Sequence, residues 1–165
     1  MMTNDQLSRR AMLRGAAAAG GLVILGLAGP VLSKPARIAA AKPKIVMHRS
    51  PTCGCCMKWA DAARAAGFDV SVTETNDIMA FKQKLGVPEE VYSCHTSVAG
   101  GYVVEGHVPF DAVKKLLRTK PRIKGIGVAG MPMGAPGMEV HGHGHAAEPI
   151  KVMAFDAAGK VRSFA

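Results

Sequence analysis

Three thiols fall within four residues at Cys53-Gly54-Cys55-Cys56, and a fourth, Cys94, is followed directly by His95. Cys53 and Cys56 have the Cys-x-x-Cys spacing of a dithiol redox pair. A helix starting here would stabilise a thiolate through its unpaired N–H groups and its dipole. Cys55 exceeds what one disulfide exchange requires, and adjacent thiolates repel unless a cation compensates them. Such crowding of soft sulfur suits copper(I), with several ions able to share bridging sulfurs. Zinc is the main competitor, because four thiolates satisfy its tetrahedral demand, yet adjacent Cys55 and Cys56 cannot easily chelate one tetrahedral ion together with Cys53. The same residues also allow a thiol–disulfide oxidoreductase using Cys53 and Cys56, with Cys94 as resolving thiol, or four structural cysteines forming two disulfides in an oxidising compartment.

Further donors surround this set. His95 can ligate metal or hydrogen-bond a thiolate, and His107 sits in the constrained segment Gly106-His107-Val108-Pro109. Met131, Met133 and Met138 lie in a Gly/Pro-rich stretch and can bring thioethers over the site, or fill apolar gaps as loop methionines usually do. His141, His143 and His145 alternate with glycine, a pattern able to gather imidazoles around copper(II), nickel or zinc, or to remain a solvated loop. Met57 and Trp59 read as packing beside the site.

The elements that must position these residues follow from periodicity. Lys44 to Arg49 predicts a strand running into Ser50-Pro51-Thr52. From Gly54 to Ala66, apolar residues recur at spacings of three and four, which predicts a helix with Cys53 at its start and Gly67 as its stop. Phe68 to Thr73 alternates as a half-buried strand. Asp77 to Leu85 reads as a helix capped by Asn76 and ended by Gly86-Val87-Pro88. Thr96 to Glu105 predicts a hairpin about Gly100-Gly101, and Phe110, Val113, Leu116 and Leu117 predict a third helix. Residues 125–149 read as one long ordered loop, and Ile150 to Phe155 with Val161 to Phe164 as a last hairpin about Ala158-Gly159.

The first forty residues read as an export signal. Arg9-Arg10 stands in a basic segment before an uncharged Gly/Ala/Leu-rich run from Gly15 to Ser33, and Ala39-Ala40-Ala41 offers a cleavage site before Lys42. The run resembles a twin-arginine signal, and its glycines suit it poorly to remain as a membrane helix. The division is then residues 1–41 as signal and 42–165 as one domain, with a periplasmic destination and membrane contact only before cleavage. Residues 42–165 hold 16 Lys+Arg against 11 Asp+Glu, a net charge of +5, so about half of the whole-chain +9 belongs to the signal. The lysines are interspersed with acids and lack aromatic interleaving, which argues against nucleic-acid binding.

The order β-α-β-α-β-β-α, with a cysteine pair where the first strand meets the first helix, resembles the thioredoxin fold. More narrowly, Ser50-Pro51-Thr52-Cys53-Gly54-Cys55-Cys56-Met57-Lys58-Trp59, Ser93-Cys94-His95-Thr96, Gly101-Tyr102-Val103-Val104-Glu105-Gly106-His107-Val108-Pro109 and Gly130-Met131-Pro132-Met133-Gly134-Ala135-Pro136-Gly137-Met138-Glu139 resemble the CopG-like copper-resistance family. The likeness covers nearly all of residues 44–165; the Gly-alternating histidines depart from it. It implies an α/β, thioredoxin-like domain with a central mixed sheet flanked by helices, a C-terminal Gly/Met/His-rich loop and a short final hairpin. In that layout the loop before the third strand lies against the Cys-x-x-Cys turn, so Cys94 is expected to join Cys53, Cys55 and Cys56. The implied function is copper(I) binding for copper tolerance, by sequestration or by delivery to a periplasmic exporter or chaperone.

Overall fold

The computed structural model describes residues 41–139 and 146–164. Arg9, Arg10, the Gly15–Ser33 run, and His141, His143 and His145 lie outside the described residues. The domain is α/β. Strand β1 (Lys44–Arg49) turns Ile45, Met47 and Arg49 inward, as a two-residue period requires. Helix α1 (Gly54–Ala65) buries Cys56, Trp59, Ala60 and Ala63, one stripe at spacings of three, one and three. Cys53 is its N-cap residue, and Gly67, at φ 97°, makes the left-handed exit. Strand β2 (Asp69–Glu74) starts one residue later than its alternation predicts, because Phe68 N–H still bonds the Ala63 carbonyl at 3.1 Å.

Helix α2 (Ile78–Lys84) is capped by Asp77, whose carboxylate accepts the Ala80 N–H at 2.8 Å. The cap is therefore one residue beyond the expected Asn76, and Asp77 places its oxygen at the N3 amide as a capping residue should. A 3₁₀ turn (Glu89–Val91) leads to β3 (His95–Ala99) and β4 (Tyr102–Glu105). Gly100 and Gly101, at φ 56° and 86°, form the two-residue turn between them. Helix α3 (Phe110–Thr119) then crosses over to β5 (Gly125–Gly127), and β6 (Met153–Phe155) and β7 (Val161–Ser163) form the last hairpin.

Among the described residues, seven strands form one mixed sheet in the order β2-β1-β3-β4-β5-β6-β7. The β1–β2 and β4–β5 pairs are parallel and the others antiparallel. The main core packs Ile45, Met47, Trp59, Phe68, Val104, Leu116 and Ile126 together. Strand β5 corrects the expectation of an unbroken loop over 125–149. Its end residues, Gly125 and Gly127, have no side chains, so no hydrophobic period marks it in the sequence. Its glycines are there for space: a Cβ on Gly125 would lie 2.7 Å from Phe155 Cζ and also strike the Val103 carbonyl and Cβ. Gly125→Ala should therefore destabilise the domain by ~1–3 kcal/mol through overpacking. Gly54→Ala, where a Cβ meets nothing within 4 Å, should cost nothing comparable. Denaturant midpoints of the two variants check this directly.

Candidate metal centre

The four cysteine sulfurs all lie within 4.8 Å of one another. Two neighbouring strand ends bring them there. In the antiparallel β1–β3 ladder Arg49 pairs with His95, so the turn after β1 and the bend before β3 leave the sheet side by side. Cys55 is central: its Sγ is 3.5 Å from Cys53 Sγ, 3.7 Å from Cys94 Sγ and 3.9 Å from Met131 Sδ. Cys53 and Cys56 are joined as a disulfide, leaving Cys55 and Cys94 as thiols.

The turn carrying Cys53 is held by Arg49. Its Nη1 donates to the carbonyls of Ser50, Pro51 and Cys53 at 2.9, 3.0 and 3.2 Å, and its Nη2 bonds Glu74 at 2.8 Å. This planar fork ties three carbonyls of the turn to one side chain, adding to the Cys53 N–H bond that the Ser50 carbonyl already accepts at 3.1 Å. Nothing in the sequence singled out Arg49 except its place at the inward end of β1.

Cys94 is flanked by imidazoles on its other side. His107 Nε2 lies 3.0 Å and His95 Nδ1 3.3 Å from its Sγ. His107 Nδ1 is 2.7 Å from the Pro136 carbonyl, which can only accept, so the proton sits on Nδ1 and the Nε2 lone pair faces the sulfur. Cys94, His95 and His107 thus form a second group of potential ligands, their donor atoms also within 4.8 Å of one another. Among the described residues, His95 Nε2 is buried with no hydrogen-bond partner. Trp59 closes the pocket behind it, with its ring 5.0 Å from His95 and its Nε1–H donated to the Val108 carbonyl at 3.1 Å.

The Gly/Pro loop folds back over this assembly. A Cβ on Gly137 would lie 2.6 Å from Trp59 N and 3.2 Å from the Cys55 carbonyl, so bare backbone is what fits against the start of α1. Of the three candidate methionines, the loop brings Met131 to the cysteines and leaves it half exposed to solvent. Met133 and Met138 shape the loop through their backbones. Glu148 N–H donates to the Met133 carbonyl at 2.8 Å, and Gly134 N–H to the Met138 carbonyl at 2.7 Å.

Desolvation governs the electrostatics. Burial, reinforced by neighbouring Cys55, pushes the Cys94 thiol up to about 12. It is therefore a neutral S–H donor near neutral pH, and a bound cation would have to displace that proton. Burial holds His95 well below its ordinary value, with His107 and Lys82 adding repulsion, and burial lowers His107 as well. The donors are thus neutral imidazoles and soft sulfur, a set suited to soft or borderline metals.

Two residues besides Arg49 in the surroundings of the cysteine cluster escaped sequence reading. Lys82 and Glu105 are fully buried and bonded to each other at 2.5 Å. The signal was present: Ile78, Lys82 and Leu85 share one helical face, so a lysine occupies a position where an apolar residue would be expected.

Comparison with known proteins agrees with this geometry. Residues 91–138 match the family described as "Protein of unknown function, DUF411". Among solved structures, copper resistance protein CopG (form 2) is 38% identical, with a TM-score of 0.68, over 74% of this chain and 95% of that one. Form 1 of the same protein gives 39% identity and a TM-score of 0.67 over the same shares. The chain belongs to the CopG family. Its α/β sheet and its cysteine cluster, able to hold metal, are those of a CopG-like protein. No curated protein matches the chain.

The two depressed histidines have a thermodynamic consequence. Both stay neutral in the fold but take up protons near 6.5 when unfolded, so below that pH the unfolded state binds more protons. Their contribution is complete above about 6.5 and is lost as the pH falls towards their lowered folded-state values. The metal-free protein should therefore lose thermal stability between pH 7 and 5, a slope that His95→Asn should flatten, as calorimetry across that range would read.

Proposed function

We propose that this protein is a periplasmic copper(I)-binding protein contributing to copper resistance, with Cys53, Cys55, Cys56 and Cys94 as the ligand set. The observation that carries the reading is the convergence of four sulfurs within 4.8 Å, with the Met131 thioether 3.9 Å from the most central of them. So many soft donors in so small a volume favour copper(I) over zinc, and sulfurs this close can bridge more than one ion. Similarity to a protein named for copper resistance supports the same reading. His107, His95 and Met131 are the nearest additional donors, at 3.0, 3.3 and 3.9 Å from a cysteine sulfur. Met133, Met138 and the glycine-spaced His141, His143 and His145 are auxiliary donors in this proposal, and the domain is read as thioredoxin-like from its β2-β1-β3-β4 core. Its cargo would be kept or passed to a periplasmic exporter or chaperone.

A second reading, thiol–disulfide exchange, is favoured by one observation, the Cys53–Cys56 disulfide. The two readings share atoms. Two electrons and two protons convert the disulfide into two thiols, which complete the four-sulfur set.

Cys55→Ser separates them, because it removes the central sulfur and spares the Cys53–Cys56 pair. Copper(I) affinity of the anaerobically reduced variant should fall at least about tenfold, ~1.4 kcal/mol, in competition with a chromogenic chelator. Dithiol–disulfide turnover should persist. Unchanged copper(I) binding together with robust turnover in the unmodified protein would favour the oxidoreductase. Deleting residues 141–145 should matter far less, since imidazoles add little for a soft ion already held by thiolates.

Export rests on the paired arginines in this proposal, since no other basic pair precedes the apolar run. Replacing Arg9 and Arg10 with lysine should retain the protein in the cytoplasm on cell fractionation. Delivery at the unmodified level would rule the paired-arginine route out.

A further inference from the structure

Lys82 and Glu105 are 1% and 0% exposed, and Lys82 Nζ lies 2.5 Å from Glu105 Oε1. A buried ion pair is a poor device for stability alone, because desolvating two charges offsets most of their attraction. What the pair holds is more informative. Glu105 Oε1 also accepts the backbone N–H of Ser93 at 2.7 Å, and Oε2 accepts the Thr96 hydroxyl at 2.6 Å. Thr96 Oγ1 in turn accepts from Lys82 Nζ at 2.9 Å. Ser93 and Thr96 bracket Cys94 and His95, so one carboxylate grips both ends of the segment that supplies the fourth sulfur. Ser93 extends the grip, since its hydroxyl donates to the carbonyl of Gly130, the residue before Met131. Without Glu105 the Ser93 amide would have no strand or helix partner.

We propose that the Lys82–Glu105 pair is a positioning device for the metal centre, setting Cys94 directly against Cys55 and, through Ser93 and Gly130, setting Met131 over it. Lys82 orients the carboxylate through its bond to Oε1, and the Glu105 oxygens do the positioning. Neither residue touches a sulfur in the contacts described, so both act through Ser93 and Thr96. The consequence for the ion rests on the copper(I) reading above.

Three variants of the full chain test it. K82M/E105Q removes both charges but keeps an oxygen for the Ser93 N–H and a donor for Thr96, whereas K82M/E105L fills the same space with no acceptor. E105D keeps the charge and withdraws the oxygens by one methylene. Under anaerobic reducing conditions K82M/E105Q should bind copper(I) as the unmodified protein does. K82M/E105L and E105D should bind about tenfold more weakly, the effect typical of losing a group that orients a ligand. Thermal midpoints read alongside separate positioning from stability. Equal copper(I) affinity in all folded variants overturns the proposal, and so does equal loss in K82M/E105Q and K82M/E105L. If K82M/E105L does not fold, E105D decides alone. A second readout does not need copper: in a Cys55→Ser background with the Cys53–Cys56 disulfide intact, Cys94 is the one free thiol. Its alkylation rate should rise in E105D and stay unchanged in K82M/E105Q; a rate unmoved by E105D overturns the proposal. An unmodified protein that binds no copper(I) but shows the expected alkylation pattern would sink the copper reading and leave the positioning role standing.

Discussion

The antiparallel pairing of β1 with β3 sets the distance on which the cysteine cluster depends. Arg49 opposite His95 is the last ladder pair before both chains leave the sheet, one towards Cys53 and the other back through Cys94. A shift of one residue along that ladder would move His95 to the other face of the sheet and carry Cys94 out of line with the first cysteine turn, because side chains alternate across a strand. The register is secured on one side by core residues Ile45 and Met47, and on the other by the two-glycine turn that fixes β4 against β3. The hydrophobic core therefore sets the coarse placement of the site.

Polar side chains complete what the ladder begins. Arg49 gathers the carbonyls of the first cysteine turn, while Glu105, held by Lys82, takes the amide and hydroxyl of the segment around Cys94. Both turns are irregular backbone close to the core, where unpaired amides and carbonyls are costly, and each receives a buried charged partner suited to its need. The cationic partner faces carbonyls and the anionic one faces N–H and O–H. The thiols between them are left in a poorly solvated place, which is why Cys94 holds its proton so firmly.

The sequence carried the site's donors more openly than its supports. Cys53, Cys55, Cys56 and Cys94 were legible from residue type, and their convergence from the likeness of element order to a known layout. Six of the seven strands and all three helices among the described residues followed from periodicity, with most ends moved by a residue or two where capping and last-turn hydrogen bonds decided the boundary. The final hairpin is shorter than its apolar runs suggested, starting at Met153 and not at Ile150. Strand β5 was hidden because glycine has no side chain with which to express a period. The proximity of Met131 depends on how a loop of glycines and prolines folds back, a tertiary matter with no local signature. Lys82 was visible only as a misplaced charge on an apolar face; its partner lies 23 residues away.

The backbone of Gly137 lying flat against Trp59 and Cys55 has a bearing on how variation in this chain would be interpreted. If the proposed copper(I) role holds, a saturating mutational survey scored on metal tolerance would rank Gly137 beside the cysteines, although it donates nothing to an ion, because any larger residue lifts the loop that carries Met131 and the carbonyl bonded to His107. Sensitivity to replacement at this centre is thus shared between donors and the bare backbone that lets donors approach. Only a survey that scores folding and metal retention separately would tell the two kinds of position apart.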